Sequence, residues 1–441
     1  MFYIVESSDQ LQLLENYSTK GAYIEVISSH DYYHPSFTST IALYIRPLNH
    51  KEGYIIPINH SEGLNVAKDR VYNILSKYNI LYVLDKKNLL YHFNLQNAID
   101  LSLLYSMVKF ERLEIPSKDN TVFWFYNKFS EFSNINQLIP ISKLFERCEE
   151  TYSYIEQYLD LEIPSGFEFY NTIATNVFYL IEQTGLGIYY EPFKELFTPR
   201  EPEYSIRNNR VLTSYNLYNV TSRPTNAFNS VNFAAIPKTQ QHRKCFHPTE
   251  DYFVEFDFDG YHLRLLCDQI GYDLGLESAH KQLAKLYFEK EEITDEEYAE
   301  AKQINFHAIY GKIPEKYAFL EIFDKIQKYI NGLWEEFNQN GVIYNPISKK
   351  SFTQELKDMN PHKLMNYMMQ SLETARNILI LKDVLKYLRN KKTKVALYIY
   401  DAIIFDYSKE DGKETLQDLQ DILEEHRKYP VKFKYSKNFV L

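Results

Sequence analysis

DYFVEFDFDGYHLR, residues 251–264, begins as a strand and ends in a turn that carries carboxylates. YFVEF alternates as a strand does, and Gly260 supplies a turn signal just after Asp257 and Asp259. Carboxylates at a strand end can hold a hard cation through oxygen ligands. A plain polar turn would carry the same letters, so the stretch gains meaning from what accompanies it. The companion is LYIYDAIIFD, residues 397–406, where Asp401 interrupts an otherwise apolar run from Val395 to Phe405. A lone carboxylate in such a run is expensive to bury, so it belongs at a turn or beside a counter-charge such as a metal. The pattern fits a tight hairpin with Asp401 at its tip.

Two helical stretches lie between them. In ITDEEYAEAKQINFHAIYGK, residues 293–312, Thr294 and Glu297 form a capping box and Gly311 can end the helix. Tyr298, Lys302, Phe306 and Tyr310 recur every four residues and share one face. Lys302 and Tyr310 stand about 12 Å apart at 1.5 Å per residue, enough to span a nucleotide from phosphate to base. An amphipathic helix with a snorkelling lysine is the plainer reading. HKLMNYMMQSLETARNILILKDVLKYL, residues 362–388, is a long helix after Asn360-Pro361. The amides of Asn366 and Gln370, one turn apart in apolar sequence, need partners, either protein groups or base edges.

Composition limits the rest. The chain has 441 residues with 45% hydrophobic and 24% charged, so it reads as globular, with room for more than one core. Aromatic residues reach 16%, mostly tyrosine, and tyrosine packs cores as readily as it stacks on bases. The net charge of −10 argues against indiscriminate coating of nucleic acid, although it says little about a local groove. Between Ser205 and His247 six basic residues, Arg207, Arg210, Arg223, Lys238, Arg243 and Lys244, occur with no acid, and four acids follow within Pro248–Phe258. Such a juxtaposition suits a polyanion held near bound cations, or a solvated basic loop. Three scattered cysteines exclude a disulfide scaffold and a cysteine-rich zinc site. Neither a signal peptide nor a membrane span is read, so the expectation is a soluble, intracellular protein without membrane partners.

The ordered set of motifs resembles the polymerase domain of family A DNA polymerases, of a divergent phage or viral type acting in a host cytoplasm. DFDGYHLR is similar to the first metal motif, KQINFHAIYG to the O-helix motif and YDAIIFD to the second metal motif. TSRPTN with NFAAIP, and NYMMQ, are similar to the upstream and intervening stretches. The resemblance covers residues 165–441. It implies a mixed α/β, or α+β, architecture of palm and fingers over 161–441, preceded over 1–160 by a degenerate exonuclease-like domain of RNase H type, with a boundary near DLEIPSG, residues 160–166.

The resemblance also implies roles. Asp257, Asp401 and the carbonyl of Phe258 match the ligands of two Mg²⁺ ions, with Mn²⁺ as an alternative. Lys302 matches a triphosphate-binding and proton-donating catalytic lysine, and Phe306 and Tyr310 match residues packed on the incoming nucleotide and near the templating base. Arg223, Asn366 and Gln370 match residues that touch primer-template DNA. His262 stands for a glutamate that excludes ribonucleotides, so sugar choice is open. Tyr298 replaces an arginine that grips the triphosphate.

The expected activity is template-directed addition of deoxynucleoside triphosphates to a primer. Proofreading is not expected, since Glu25 alone survives of the exonuclease carboxylates, with His92 and Glu149 as substitutes for aspartates. About 18 residues, Phe197 to Tyr215, stand where a long helix pair would form the thumb, so a reduced or absent thumb and a processivity or other replisome partner are expected. An RNA-synthesising relative and a catalytically impaired replisome scaffold are the alternatives.

Overall fold

The computed structural model describes residues 3–116, 121–129, 131–197, 205–226, 231–237, 240–425 and 428–441. The chain forms two compact units. One comprises Met1–Tyr179, Pro199–Asn208 and Phe228–Val231, the other Leu180–Thr198, Asn209–Ala227 and Asn232–Leu441. The stretch 160–166 therefore lies inside the first unit.

The first unit is built on a six-stranded sheet, in the order Tyr3–Ile4, Tyr54–Pro57, Thr40–Pro47, Ala22–Ser28, Leu81–Val83 and Ala98–Asp100. The three central strands are antiparallel neighbours and the outer pairings are parallel. Ile24, Leu43, Ile45, Ile56 and Leu81 pack with Val71, Ile74 and Leu75 in one apolar core. Residues 89–108, which look like one helix in sequence, are instead Lys86–His92, a loop, the strand Ala98–Asp100 and a second helix, Leu101–Lys109. The cause is Asp100, whose carboxylate accepts from Leu103 N at 2.8 Å and restarts the helix there. Residues 169–185 also depart from simple α periodicity: Phe169–Ala174 is wound as a π-helix, and Thr175 Oγ1 donates to Tyr170 O at 3.0 Å.

In the second unit, β1 (Tyr252–Phe258), β2 (Lys394–Ile399), β3 (Ala402–Tyr407) and β4 (Val431–Ser436) form an antiparallel sheet in the order β2-β3-β1-β4. Around it are α1 (Tyr261–Ile270), α2 (Ala279–Phe288), α3 (Asp295–Tyr310), α4 (Glu321–Asn340) and α5 (Pro361–Tyr387). The capping box expected at Thr294 and Glu297 starts α3. The Asn360 side chain accepts from Lys363 N, and with Pro361 at the first turn it starts α5. α5 is buried on most sides, including Ser371, Glu373, Thr374 and Asn377, which explains the mixture of amides and apolar residues in its sequence.

Of the interval Phe197–Tyr215, residues 198–204 lie outside those described. The part from Ser205 to Tyr215 carries short strand pieces and no α-helix. Among the described residues, no helix is long and apolar enough to cross a membrane.

Candidate active site

The two aspartates are brought together by the sheet. Asp257 is paired across β1 and β3 with Ala402, and Phe258 N donates to Asp401 O at 3.1 Å. Asp401 occupies the two-residue turn between β2 and β3, where Tyr400 takes a left-handed φ of 58°. Burial, and then the charge of Asp401, push the Asp257 carboxyl up to about 6. The Asp401 carboxyl is raised as well, by the protein crowded round it and by Glu373. Both carboxyls are thus raised at the end of paired strands, Asp257 in part by the charge of Asp401. Gly260 turns the chain from β1 into α1 at φ 58°, and a Cβ there would meet the Ala279 methyl at 2.8 Å.

Beside the aspartates opens a cavity of about 470 Å³. Arg223, His262, Lys302, Phe306, Tyr310, Asn366, Gln370 and Asp401 all line it. Eight of the ten side chains that the sequence assigns to a polymerase site therefore share one space, contributed by α1, α3, α5, the β2–β3 turn and the loop at Arg223. Asp257 adjoins it through the strand register, and Tyr298 sits outside the lining, its ring 6.1 Å from that of His280.

Each wall has its own chemistry. Lys302 is exposed, and no carboxylate among the described residues pairs with it. The Phe306 ring is 60% exposed and 4.7 Å from that of Tyr310, an apolar face left open to the cavity. His280, from α2, was not singled out in the sequence. Asn305 Nδ2 donates to its Nδ1 at 2.9 Å, which leaves the proton on Nε2. Burial, together with the Lys302 and Lys432 ammonium groups, outweighs Asp259 and lowers this imidazole to about 4.

The second residue that sequence reasoning missed is Glu373, fully buried in α5. It accepts from His262 Nε2 at 2.5 Å and from Arg223 at 3.0–3.1 Å. The carboxylate can only accept, so Nε2 carries a proton and Nδ1 meets the Tyr310 hydroxyl. Arg223 in turn lies over the Tyr400 ring at 4.0 Å. Burial works to raise Glu373, but the charges and hydrogen bonds of His262 and Arg223 outweigh it and hold the carboxyl below its ordinary value. Gln370 donates to Asn366 at 2.8 Å and accepts from Thr221 at 3.3 Å, so these two amides satisfy one another while lining the cavity.

The basic, acid-free segment does not act as a block. Arg223 alone of its six cations lines the cavity among the described residues, Arg243 packs over Phe439, and Lys238 lies outside those described.

The first unit has a separate cavity of about 350 Å³ whose lining includes Glu25, Asp31, Asp85, Asn88 and Arg147. Arg147 pairs with Asp31 at 2.7 Å. His92 and Glu149 do not join it. His92 is buried against Thr40, and Glu149 binds Arg46 and Tyr44.

The sequence profile described as DNA polymerase family A matches residues 190–439, more than half of the chain. The chain belongs to DNA polymerase family A. It is accordingly a DNA-directed DNA polymerase, a nucleotidyltransferase. No curated protein matches this polymerase in sequence. A solved structure, the POL domain of Pol1 from M. smegmatis in complex with DNA primer-template and dNTP, is similar with a TM-score of 0.67. That match covers 100% of this chain and 99% of the other at 12% identity, a likeness of fold.

The residues present suit a divalent cation. Among the described residues no three His, Cys, Asp or Glu side chains gather as a complete metal cage. Two hard carboxylates, both raised by their surroundings and next to an open cavity, are the donor set that Mg²⁺ accepts when substrate phosphates complete its shell.

Proposed function

We propose that this polymerase joins a deoxynucleoside triphosphate to a primer 3′-end on a DNA template in the cavity beside Asp257 and Asp401. The observation that carries the reading is the convergence there of Lys302, Phe306, Tyr310, His262, Arg223 and Asp401. Asp257, Asp401 and the main-chain carbonyl of Phe258 would hold two divalent ions. When bound, such ions favour the ionised primer hydroxyl and neutralise charge on the departing pyrophosphate.

The chain's own groups do the remainder. Lys302 offers an ammonium, with no carboxylate partner among the described residues, to the triphosphate, and it can return a proton to the leaving group. Phe306 gives apolar surface for the incoming base and sugar. Tyr310 and His262, tied together, close the space beside the sugar. Arg223, Asn366 and Gln370 face the DNA from the other wall.

The same proposal holds that the first unit does not proofread. Its cavity carries Glu25, Asp31 and Asp85, but the Arg147 guanidinium already pairs with Asp31 and acts on Glu25 where a metal-dependent exonuclease would need cations. A reduced thumb makes a processivity partner part of the proposal, and a processive ladder from the isolated chain would contradict that part.

The test is extension of a labelled primer with Mg²⁺ and deoxynucleotides, with Asp257→Ala alongside. Template-dependent extension lost in the variant is expected. Extension that survives Asp257→Ala, or none with either Mg²⁺ or Mn²⁺, would overturn the reading.

A further inference from the structure

We infer that Lys432, on the edge strand β4, is a triphosphate-contacting residue of this site, supplying from the palm sheet the positive charge that α3 lacks at Tyr298. The inference rests on the reading of the cavity as the nucleotide site.

Register puts the lysine in place. Lys432 is the cross-strand partner of Asp257 in the β1–β4 ladder, so both side chains leave the sheet on the same face. Its Nζ lies 2.6 Å from Asp259 Oδ1. Asp259 has other partners besides, since the carboxylate also accepts from Ala279 N at 2.7 Å and Ser278 Oγ at 3.4 Å and lies 3.6 Å from Arg264. An ammonium has three donors, and this side chain is 52% exposed, so it can reach a ligand while keeping Asp259.

Its charge is felt at the cavity, at His280 of the lining. Lys432 interacts with Asp257 and the Tyr298 phenol besides Asp259, and together with Lys302 it acts on the His280 imidazole. Lys302 from α3 and Lys432 from β4 thus both act on one imidazole that lines the cavity, and Lys432 stands beside Asp257 in the sheet. On the shared face of α3 only Lys302 is cationic, because Tyr298 is neutral. A triphosphate bound beside the His280 imidazole meets both ammonium groups.

The experiment compares wild type, Lys432→Met, Lys432→Arg and Asp259→Asn. It measures KM for dATP, inhibition by pyrophosphate, Kd for primer-template DNA, melting temperature, and dATP binding by calorimetry in Ca²⁺ buffer, which needs no turnover. Expected for Lys432→Met is a rise on the order of 10-fold in KM, in the pyrophosphate inhibition constant and in the dATP Kd, the loss of one charge-assisted contact. Primer-template Kd should stay within about twofold and Lys432→Arg should restore most of the effect.

Unchanged dATP and pyrophosphate constants, with a melting loss matched by Asp259→Asn, would make the lysine merely structural and overturn the inference. Weakened primer-template binding with unchanged dATP constants would overturn it too. Wild type that fails to extend a primer would instead overturn the reading of the site, and equal dATP binding by Lys432→Met in calorimetry would then dispose of the inference independently.

Discussion

His262 Nε2 donates to Glu373 Oε2 at 2.5 Å, across 111 residues of sequence, and the carboxylate that receives it has no exposure to solvent. The same carboxylate holds Arg223, and the same imidazole holds Tyr310, so one buried acid fixes residues from α1, α3 and the loop before β1.

Replacing Glu373 by Gln is therefore expected to cost about 3–5 kcal/mol, the usual result of removing one partner from a buried ionic cluster. Urea denaturation checks this. Because Glu373 is held below its ordinary value, its stabilisation is present above the unfolded-state value near 4.3 and lost as pH falls below it. The wild-type minus variant difference should shrink on acidification. The ratio of deoxy- to ribonucleotide incorporation should change as well, since His262 loses the anchor that orients its ring.

Asp257 behaves in the opposite sense. Its carboxyl is raised to about 6, so its contribution is full below the unfolded value near 3.9 and is lost as pH rises through 6. Without bound metal, Asp257→Asn should be as stable as wild type below about pH 4, where both the folded and the unfolded wild type keep the proton. At pH 8 it should be more stable by on the order of 1 kcal/mol, once screening by solvent is allowed for. Its primer-extension rate should nonetheless fall by orders of magnitude. A variant that loses stability at pH 8 would contradict the repulsion between Asp257 and Asp401.

Phe306→Ala should separate binding from folding. The ring is 60% exposed, so the change in stability should stay within about 0.5 kcal/mol. KM for the nucleotide should rise by roughly 10-fold, the scale of one lost base–aromatic stack. Steady-state extension and a thermal melt together decide it.

What could be read from the sequence was what is encoded locally. The strand and turn around Asp257, the hairpin tip at Asp401 and the Thr294–Glu297 cap each depend on neighbours within a few residues. The face Tyr298–Lys302–Phe306–Tyr310 follows from helical spacing alone. Glu373 was not legible, because its partners Arg223 and His262 lie 150 and 111 residues away and its own neighbours read as a polar position on a helix. His280 escaped for the same reason, since its setting depends on Asn305 and Lys302 from α3 and on Lys432 from β4, 152 residues further along the chain than His280 itself. In the first unit Asp100 looked like one polar residue in a helix, whereas the fold uses it as a cap between strand and helix.

Lys350, in the turn of the short hairpin Val342–Tyr344 and Ser351–Thr353, offers a pH test away from the site. Its ammonium is buried against Ser222 Oγ at 2.5 Å, and burial lowers it to about 7. A lysine lowered in the fold favours the native state above the unfolded value near 10.4, and that support is lost as pH falls through 7. Stability should drop between pH 9 and pH 7 by on the order of 2 kcal/mol. Lys350→Met should abolish that slope. An identical slope in the variant would mean that another group titrates.

The last prediction concerns the cavity of the first unit. With Arg147 2.7 Å from Asp31 and acting on the raised carboxyl of Glu25, positive charge is already covalently supplied where hydrolysis would need mobile cations. A primer with a mispaired 3′ nucleotide should therefore survive incubation with the wild-type chain and Mg²⁺, and be extended slowly rather than trimmed. Arg147→Ala removes the guanidinium and leaves the charge of Asp31 acting on Glu25 without its counterweight, so the first unit should melt earlier. If Arg147 plays no part in balancing these acids, the variant will melt with the wild type. Trimming of the mispaired end by wild type, abolished by Glu25→Gln, would show instead that the acids hold metal despite the arginine.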